Sequence, residues 1–345
     1  MFIRNAWYVI AWDHEILDDA LFSRTVLGEP VLVYRTAAGE YTALADRCCH
    51  RLAPLSRGRR EGDLVRCGYH GLCFDVTGRC VEVPGQDRVP DRAFVRRYPL
   101  VVRHHWVFVW MGEPGLADPA LLPDNFSCGH PDWRYRPGYL HYDTPYLLIC
   151  DNLLDFSHLS FVHAATLGGS TDIARATPRV EEIDRGVRIS RDIRNVPPSP
   201  YYQQFHPFDT PINRWIVYDF LLPGVLLMHS GGRPAEDADG DMTRAVQLHS
   251  CQALTPETET STHYFFQESH RADQGNEATT EAIYDALLLA FEEDRAMINA
   301  QAANIALDPS AAMLPLPMDR AVLRFRRLLE AQMQAERSIS ASISR

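Results

Sequence analysis

Short apolar runs separated by turn residues occupy the first third of the chain. Two of these runs, residues 31–34 and 106–110, contain only aliphatic and aromatic side chains, and glycine, proline and aspartate lie between the runs. Runs of this composition, bounded by turn formers, are typical of β-strands. The pattern therefore predicts a small all-β domain, to which we assign residues 1–115.

The remainder of the chain combines strand-like runs with helical periodicity. The strand-like runs are residues 215–220, 244–254 and 263–267, and the helical patterns lie near 151–163, 278–306 and 319–336. This mixture predicts an α+β domain with an antiparallel sheet and flanking helices, which we assign to residues 116–345. The polar, proline-spaced segment 113–133 is the best candidate for a linker between the two domains.

The composition is that of a globular protein, with 46% hydrophobic and 23% charged residues. No apolar stretch approaches the ~18 residues of a membrane span and the first residues lack a signal-peptide core, so we expect a cytoplasmic protein without a membrane partner. The net charge of −11 argues against nucleic acid, because phosphate binding requires a basic surface. The eight cysteines are few and irregularly spaced, which favours metal ligation over a disulfide framework.

Positive charge is concentrated in one part of this acidic chain. Twelve arginines but only six acidic residues lie between positions 47 and 103. Such a region can attract an acidic protein partner. It can equally be the solvated face of a strand-rich domain.

Two short clusters within this region combine cysteine with histidine. The first is Cys48-x-His50 and the second is Cys67-x-x-His70. Two sulfur and two nitrogen ligands suit a tetrahedral zinc, or a Rieske [2Fe–2S] cluster in which two cysteines hold one iron and two histidines the other. Zinc fingers usually group like ligands, whereas here each cluster provides one of each kind. The spacing therefore favours a Rieske cluster, which would relay electrons.

A second constellation lies in the run DNLLDFSHLSFVH, which contains Asp155, His158 and His163. On a regular helix the two histidines would point about 140° apart, because they are five residues apart. They could meet at one metal only if the helix widens or ends between them. Taken alone, the two histidines could also be incidental.

A carboxylate much later in the chain completes a candidate metal site. In the helical pattern 278–306, apolar residues such as Ile283, Leu287, Phe291 and Met297 recur on one face, and Asp294 falls within about 20° of Ile283. A carboxylate on a buried face must be paired or bound to a metal, so an ion pair with an arginine is one explanation. With His158 and His163, however, Asp294 forms the two-histidine, one-carboxylate set that holds Fe(II) and leaves positions for O₂.

Several segments carry a family resemblance. HRLAPLS follows the first cysteine–histidine pair and CGYHGLCFD surrounds the second, and both resemble the Rieske domains of ring-hydroxylating oxygenases. From MFIRNAWYV through CVEVPGQ, DNLLDFSHLSFVH and LTPETETSTHYFF to FEEDRAMI, the chain resembles oxygenase components of the vanillate O-demethylase and toluenesulfonate methyl-monooxygenase type. Cys49 stands where most members of the family have proline, and no role follows for it.

The resemblance implies a fold, cofactors and partners. It implies a Rieske domain followed by a helix-grip-like catalytic domain, a mononuclear Fe(II), and a homotrimer. A flavin and iron–sulfur reductase or a ferredoxin would deliver electrons from NADH. With O₂, the enzyme would oxidise a methyl group of a small aromatic substrate by O-demethylation, methyl hydroxylation or N-demethylation. A ring dihydroxylase and a pure Rieske electron carrier are the alternatives.

The resemblance also suggests roles for residues near the iron. Asp155 would connect His70 of one subunit to His158 of the next, or would only orient His158. Asn152 is a candidate to line the iron pocket. His249 and Gln252 are polar candidates for the substrate pocket, although strand alternation sends only half of the side chains inward.

Overall fold

The computed structural model of the protein describes residues 2–168 and 170–343, with side chains as far as residue 338. The chain forms two compact units, of which the first comprises Met1–Leu122 and Thr255–Glu259 and the second comprises Pro123–Leu254 and Thr260–Arg345. The first unit is built of strands and the second of one large sheet with helices. The α+β class predicted from the sequence is therefore confirmed.

The first unit holds three antiparallel sheets. Their strands are β1 (Trp7–Trp12), β2 (Phe22–Val26), β3 (Glu29–Arg35), β4 (Tyr41–Ala45), β5 (Arg59–Glu61), β6 (Leu64–Arg66), β7 (Cys73–Phe74), β8 (Cys80–Glu82), β9 (Arg97–Tyr98), β10 (Leu100–Arg103) and β11 (Trp106–Trp110). The orders are β1-β11-β10, β2-β3-β4-β9 and β5-β6-β7-β8. The last of these sheets carries the second cysteine–histidine cluster in the loop between β6 and β7.

The first unit also includes a short segment from late in the chain. Main-chain hydrogen bonds of 2.8 and 2.7 Å run from the N–H groups of Leu27 and Gly28 to the carbonyls of Pro256 and Glu257. The Thr255 hydroxyl donates to the carbonyl of Val9 at 2.6 Å. The first unit is thus assembled from two pieces of chain, while the domain limits of 1–115 and 116–345 stay a prediction.

The second unit is organised around an eight-stranded antiparallel sheet. Its strands are β12 (Trp133–Arg134), β13 (Gly138–Tyr142), β14 (Arg179–Ile183), β15 (Gly186–Val196), β16 (Ile212–Leu221), β17 (Val225–Pro234), β18 (Val246–Pro256) and β19 (Thr262–Arg271). The order is β12-β19-β18-β17-β16-β15-β14, and β13 also pairs with β19. The long central strands β15 to β19 give the sheet a broad face on which helices can pack.

The described residues also form five α-helices and several 3₁₀ helices. The α-helices are α1 (Tyr146–Leu154), α2 (Asp172–Arg175), α3 (Pro200–Phe205), α4 (Glu277–Leu307) and α5 (Arg320–Ile343). The 3₁₀ helices are Asp13–Glu15, Leu55–Arg57, Pro114–Leu116, Pro119–Leu121, Phe156–Ser160 and Pro317–Asp319. Within residues 2–168 and 170–343, no helix is both long and apolar enough to cross a membrane.

Helix α4 is fixed on the sheet by aromatic contacts. The Phe291 ring lies 5.2 Å from the Tyr264 ring and 4.8 Å from the Phe266 ring of β19, measured between centroids. Tyr142 of β13 donates its hydroxyl to the carbonyl of Phe291 at 2.9 Å. These contacts turn the face that carries Asp294 inward. Met297, predicted on the same face, is instead 57% exposed in the single chain.

Candidate functional site

The two cysteine–histidine loops have the same backbone geometry. In each loop the cysteine N–H donates to the carbonyl five residues later, and the cysteine carbonyl accepts from the N–H four residues later. The bonds are Cys48 N to Ala53 O (2.9 Å), Leu52 N to Cys48 O (2.8 Å), Cys67 N to Leu72 O (2.8 Å) and Gly71 N to Cys67 O (3.1 Å). Two matched loops can therefore each present one sulfur and one nitrogen ligand.

Burial separates the sulfur ligands from the nitrogen ligands. Cys48 and Cys67 are 1% and 2% exposed within the apolar core of the first unit. His50 and His70 are exposed, and their ring centroids lie 4.6 Å apart. Burial, together with the nearby Cys67 thiol, raises the pKa of Cys48 to about 11, so the thiolate needs the positive charge of a metal. This donor set fits a [2Fe–2S] cluster with sulfur ligands on the inner iron and imidazoles on the outer iron.

Side chains that are not candidate ligands fix both cysteine–histidine loops by polar contacts. The buried carboxylate of Asp46 accepts from the Ser56 N–H at 2.7 Å and from the hydroxyls of Ser56 and Ser23 at 2.6 Å. Arg66 donates to the carbonyl of Gly71 at 2.8 Å in the second loop. These contacts therefore fix the loops that carry the candidate ligands.

Apolar side chains surround the exposed histidines. Leu52 and Tyr69 are 68% and 62% exposed, and the Tyr69 ring lies 3.9 Å from the His70 ring between centroids. Cys49 is also exposed, next to the buried ligand Cys48. An exposed apolar tip of this kind is suited to contact with another protein surface.

The second residue set converges in the second unit. Nε2 of His163 lies 3.1 Å from Oδ1 of Asp294, and Nε2 of His158 lies 3.5 Å from the same oxygen. One ligand atom from each residue lies within 4.8 Å of the others. The structure thus brings Asp294 together with two histidines that are far from it in the sequence, as expected of a metal site.

A change of helix type makes this convergence possible. Helix α1 ends at Leu154, and Asp155 is the N-cap of the 3₁₀ helix Phe156–Ser160 that carries His158. The chain leaves that helix at Phe161, before it reaches His163. The predicted helix over 151–163 is therefore interrupted, which allows two histidines five residues apart to face one point.

Each histidine is oriented through its second ring nitrogen. Nδ1 of His158 donates to the main-chain carbonyl of Asp155 at 2.7 Å, and Nδ1 of His163 donates to the Glu293 carboxylate at 2.7 Å. The Thr166 hydroxyl also donates to Glu293, at 3.1 Å. Both Nε2 atoms are left for a metal, as in carboxylate–histidine–metal arrangements.

The environment shifts the pKa values of the two histidines in opposite directions. Burial lowers the pKa of His158, and the nearby Asp294 charge offsets this only in part. Burial also lowers the pKa of His163, but hydrogen bonds and charges from Asp294 and Glu293 outweigh it and leave the pKa raised. A metal at Nε2 would supply the positive charge that these carboxylates favour.

The buried carboxylate of Asp294 has three polar partners, the two histidines and the side-chain amide of Asn152. Asn152 of α1 donates its side-chain N–H to Oδ1 of Asp294 at 2.9 Å. Among the described residues, no arginine pairs with Asp294, so the alternative explanation of an Asp–Arg pair does not apply. Asn152 thus contacts a candidate ligand, and its role in lining the pocket stays a prediction. The two imidazoles and one carboxylate fit Fe(II) in a facial triad.

The carboxylate of Asp155 has its own partners. It accepts from the Ser157 N–H and from Arg191, each at 3.0 Å, and Arg191 is buried. His158 is therefore oriented by the main-chain carbonyl of Asp155 rather than by its side chain. The expected role of the Asp155 carboxylate between subunits stays a prediction.

The three candidate iron ligands line a cavity. Its apolar walls come from α1, the 3₁₀ helix, β16, β17 and α4, and they include Leu153, Phe156, Leu159, Ile216, Met228, Leu287 and Phe291. Its polar walls are Tyr201, Tyr202, Arg214, Ser230, Ser250, Gln252 and Glu268. Such a pocket, mostly apolar with a few polar groups, suits a small organic molecule beside a metal.

Strand alternation separates the two predicted pocket residues on β18. Gln252 lines the cavity, and its side chain accepts from the Tyr264 hydroxyl at 2.5 Å. His249 lies on the opposite face, stacked 4.8 Å from His229 between centroids in a different cleft. Burial lowers the pKa of His249 to about 4. The structure therefore brings Gln252, but not His249, together with the metal-ligand set.

Three charged residues of this site are not predicted by the sequence patterns. Glu293 lies beside Asp294 in the run FEED, and Arg214 and Glu268 lie on β16 and β19. Buried charges on strands would have been a signal, because alternate residues of a half-buried strand are normally apolar. Their sequence neighbours, however, gave no indication of which strand face points inward.

Two domain families match the chain. Residues 6–99 match the Rieske [2Fe-2S] domain, and residues 142–335 match the vanillate O-demethylase oxygenase C-terminal domain. The first match contains both cysteine–histidine loops, and the second contains His158, His163 and Asp294. Both metal sites inferred from the geometry thus fall in domains of matching type.

Individual relatives match almost the full chain. The iron-sulfur subunit TsaM1 of the toluene-4-sulfonate monooxygenase system of Comamonas testosteroni is 43% identical over 97% of this chain and 98% of that protein. A vanillate O-demethylase oxygenase subunit of Pseudomonas sp. strain HR199 is 33% identical over 97% and 96%. The crystal structure of dicamba monooxygenase bound to 3,6-dichlorosalicylic acid superposes with a TM-score of 0.90 at 31% identity, covering 97% and 98% of the two chains.

We expect Glu293→Ala to weaken binding of the mononuclear iron by about 10- to 100-fold, because His163 loses the acceptor of its Nδ1 proton. Iron retained during dialysis against a chelator would be measured, with the absorbance of the cluster as an internal reference. Glu292→Ala is the matched control, since Glu292 pairs with Arg295 on the same helix. Equal iron loss in both variants would contradict the role of Glu293.

A second prediction concerns Glu268, which accepts from the Tyr201 hydroxyl at 2.5 Å and is 5% exposed. Burial raises its pKa from 4.5 to about 7. The folded state therefore holds this proton more tightly than the unfolded state, and its contribution to stability is complete below pH 4.5 and is lost as the pH rises through about 7.

Glu268→Gln keeps the acceptor for Tyr201 but has no proton to lose. Relative to the unmodified protein, its free energy of unfolding should rise between pH 5 and pH 8, by at most about 3 kcal/mol. Denaturant unfolding at both pH values measures this difference. Glu182→Gln, at an exposed position of β14, should show no such change. A pH-independent difference for Glu268→Gln would refute the prediction.

Proposed function

We propose, from the premise that the chain belongs to the Rieske non-haem iron oxygenases of the vanillate O-demethylase type, that it oxidises a methyl group of a small aromatic substrate. Proteins of this family are oxygenase components with a Rieske [2Fe–2S] cluster and a mononuclear iron. Cys48, His50, Cys67 and His70 would hold the cluster, and His158, His163 and Asp294 would hold the iron. When bound, the cluster supplies single electrons and the iron activates O₂.

The overall reaction replaces one methyl C–H bond with C–OH. One atom of O₂ enters the product and the other leaves as water, with two electrons from NADH and two protons. A hydroxymethyl group on oxygen or nitrogen releases formaldehyde and leaves a phenol or an amine. On a ring carbon, a benzylic alcohol remains. The protein's part is to orient the ligands and hold the methyl group in a mainly apolar cavity.

The observation that carries this proposal is the convergence of the triad on that cavity. Phe156, Leu287 and Phe291 line the same space as His158 and Asp294, so an aromatic ring can pack beside the metal position. The toluene-4-sulfonate monooxygenase and vanillate O-demethylase relatives support an aryl-methyl or methoxyarene substrate. The match to the oxygenase C-terminal domain speaks against a pure electron carrier. The relatives named above do not favour a ring dihydroxylase.

We further propose a homotrimer in which the cluster of one subunit serves the iron of its neighbour. Exposed apolar side chains near both metal sites support a contact between subunits. Leu52 and Tyr69 lie near the cluster ligands, and Phe161, which is 70% exposed, lies between the iron ligands His158 and His163 in the sequence. In this arrangement the Asp155 carboxylate would receive His70 of the neighbouring subunit. Its main-chain contact to His158 provides the remaining connection to the iron.

A reductase or ferredoxin would dock on the arginine-rich face of the first unit. Arg47, Arg51 and Arg57 are exposed around the first cluster loop, which supports attraction of an acidic electron donor. A cytoplasmic location accords with this partner, and none of the eight cysteines forms a disulfide.

Turnover on a panel of methoxy-, C-methyl- and N-methylarenes, with NADH and a generic reductase, tests the reaction. We expect formaldehyde from the methoxy or N-methyl compounds, or a benzylic alcohol from the C-methyl compounds. Asp294→Ala should give neither product, because the iron set is incomplete. A cis-diol as the main product would show that the protein is a ring dihydroxylase.

Asp155→Asn tests the path between subunits. The variant should retain most of its iron, because the main-chain carbonyl still orients His158, but turnover should fall at least about 100-fold. Asp151→Asn is the matched control, since Asp151 lies in the preceding helix and also pairs with an arginine, Arg326. Full activity in Asp155→Asn, measured as product formed with the cluster reduced, would exclude a role in electron transfer.

A further inference from the structure

We propose that Glu268 donates one of the two protons that each turnover consumes. The inference rests on the proposed function and adds a residue to it, because replacing a methyl C–H with C–OH takes up O₂, two electrons and two protons and releases one water. Glu268 lies on β19, is 5% exposed and lines the same cavity as the candidate iron ligands. Few groups in a mainly apolar cavity can release a proton, so an acidic side chain in its wall needs an explanation.

One oxygen of the Glu268 carboxyl is bonded to the protein and the other is open. Oε2 accepts a hydrogen bond of 2.5 Å from the Tyr201 hydroxyl of α3. Oε1 accepts no hydrogen bond from the residues that the structure describes, and it retains accessible surface although the residue as a whole is buried. The contact with Tyr201 thus fixes the carboxyl, while Oε1 stays available to a group in the cavity.

The other titratable side chains of the cavity wall do not fit this role. They are His158, His163, Asp294, Tyr201, Tyr202 and Arg214. The two histidines and the aspartate are the candidate metal ligands. Burial raises the pKa values of both tyrosines above their ordinary value, so their hydroxyls keep their protons near neutral pH. A guanidinium does not deprotonate in proteins. Glu268 is the group of this lining that can exchange a proton.

The surroundings of Glu268 suit it to hold and release a proton at neutral pH. Burial raises its pKa from 4.5 to about 7, and the Tyr201 hydrogen bond and the positive charge of Arg214 limit this rise. A general acid works best when its pKa lies near the working pH. The carboxyl transfers its proton from Oε1 to the oxygen atom that leaves as water, and the carboxylate regains a proton from solvent when the product leaves. The second proton comes from solvent.

A purely structural role is the alternative, in which Glu268 only holds α3 on the sheet through Tyr201. Glu268→Gln keeps an acceptor for the Tyr201 hydroxyl but has no acidic proton. A structural role therefore predicts near-normal turnover in this variant, whereas proton donation predicts a large loss. The pH dependence also separates the two roles, because only the protonated carboxyl can donate.

The experiment measures product formation by the holoenzyme with its reductase, on the methylarene that gives most product, between about pH 5 and pH 9. Turnover of the unmodified protein should fall as the pH rises through about 7, because the carboxyl loses its proton. Glu268→Gln should be slower by about 100-fold at the acidic end and should lose this fall. Glu268→Asp keeps the acid and should recover part of the rate together with the fall.

Tyr201→Phe removes the hydrogen bond that favours the carboxylate, so the pKa of Glu268 should rise and the fall in turnover should move to higher pH. Infrared titration of the carboxyl C=O band, without O₂ or substrate, follows the same proton independently of turnover. The band should titrate near pH 7 in the unmodified protein, shift upward in Tyr201→Phe and be missing in Glu268→Gln. Glu182→Gln, at an exposed position of β14, is the control and should change neither measurement.

Near-normal turnover with an unchanged pH profile in Glu268→Gln would show a structural role only. A carboxyl band that titrates near the ordinary value of 4.5 would also overturn the inference. If Glu268→Gln does not fold, Tyr201→Phe still decides the question, since a turnover profile that stays in place while the band shifts refutes proton donation. In each of these cases the unmodified protein still oxidises a methyl group. Oxidation of no methylarene would overturn the proposed function itself.

Discussion

The buried carboxylate of Asp294 is the constraint on which the catalytic unit depends. A carboxylate removed from water is tolerated only with compensating partners. Here they come from two further segments, with Asn152 on α1 and the imidazoles of His158 and His163 after it. Because α4 is fixed on the sheet by aromatic contacts, these segments must approach it closely. This buried carboxylate therefore holds both segments close to α4, at the point where a metal can bind.

Burial has a different function in the first unit. Cys48 and Cys67 lie in the apolar core, where a thiolate is stable only beside a metal, while His50 and His70 remain at the surface. Neutral imidazole ligands raise the reduction potential of such a cluster and leave one iron near solvent. The same loop geometry thus places the candidate sulfur ligands in the core and the candidate imidazole ligands at the surface.

The substrate cavity is a product of strand alternation across the large sheet. Arg214, Gln252 and Glu268 come from three different strands and point to the same side. Neighbouring side chains such as His249 point to the other side and belong to a separate cleft. The polar side chains of the cavity wall thus come from the sheet, whereas the candidate metal ligands lie on helices and the segment between them.

Both sets of candidate ligands could be predicted from the amino-acid sequence, because Cys48-x-His50, Cys67-x-x-His70 and the position of Asp294 on a helical stripe are local patterns. It also predicted the α+β class. The contacts between distant segments were needed to show that Glu293 orients His163, that His249 faces away from the cavity and that Arg214 lines it. These properties depend on strand register and on contacts between distant segments. Periodicity shows which side chains share a face of a helix or strand, whereas the packing of the elements decides which residues that face contacts.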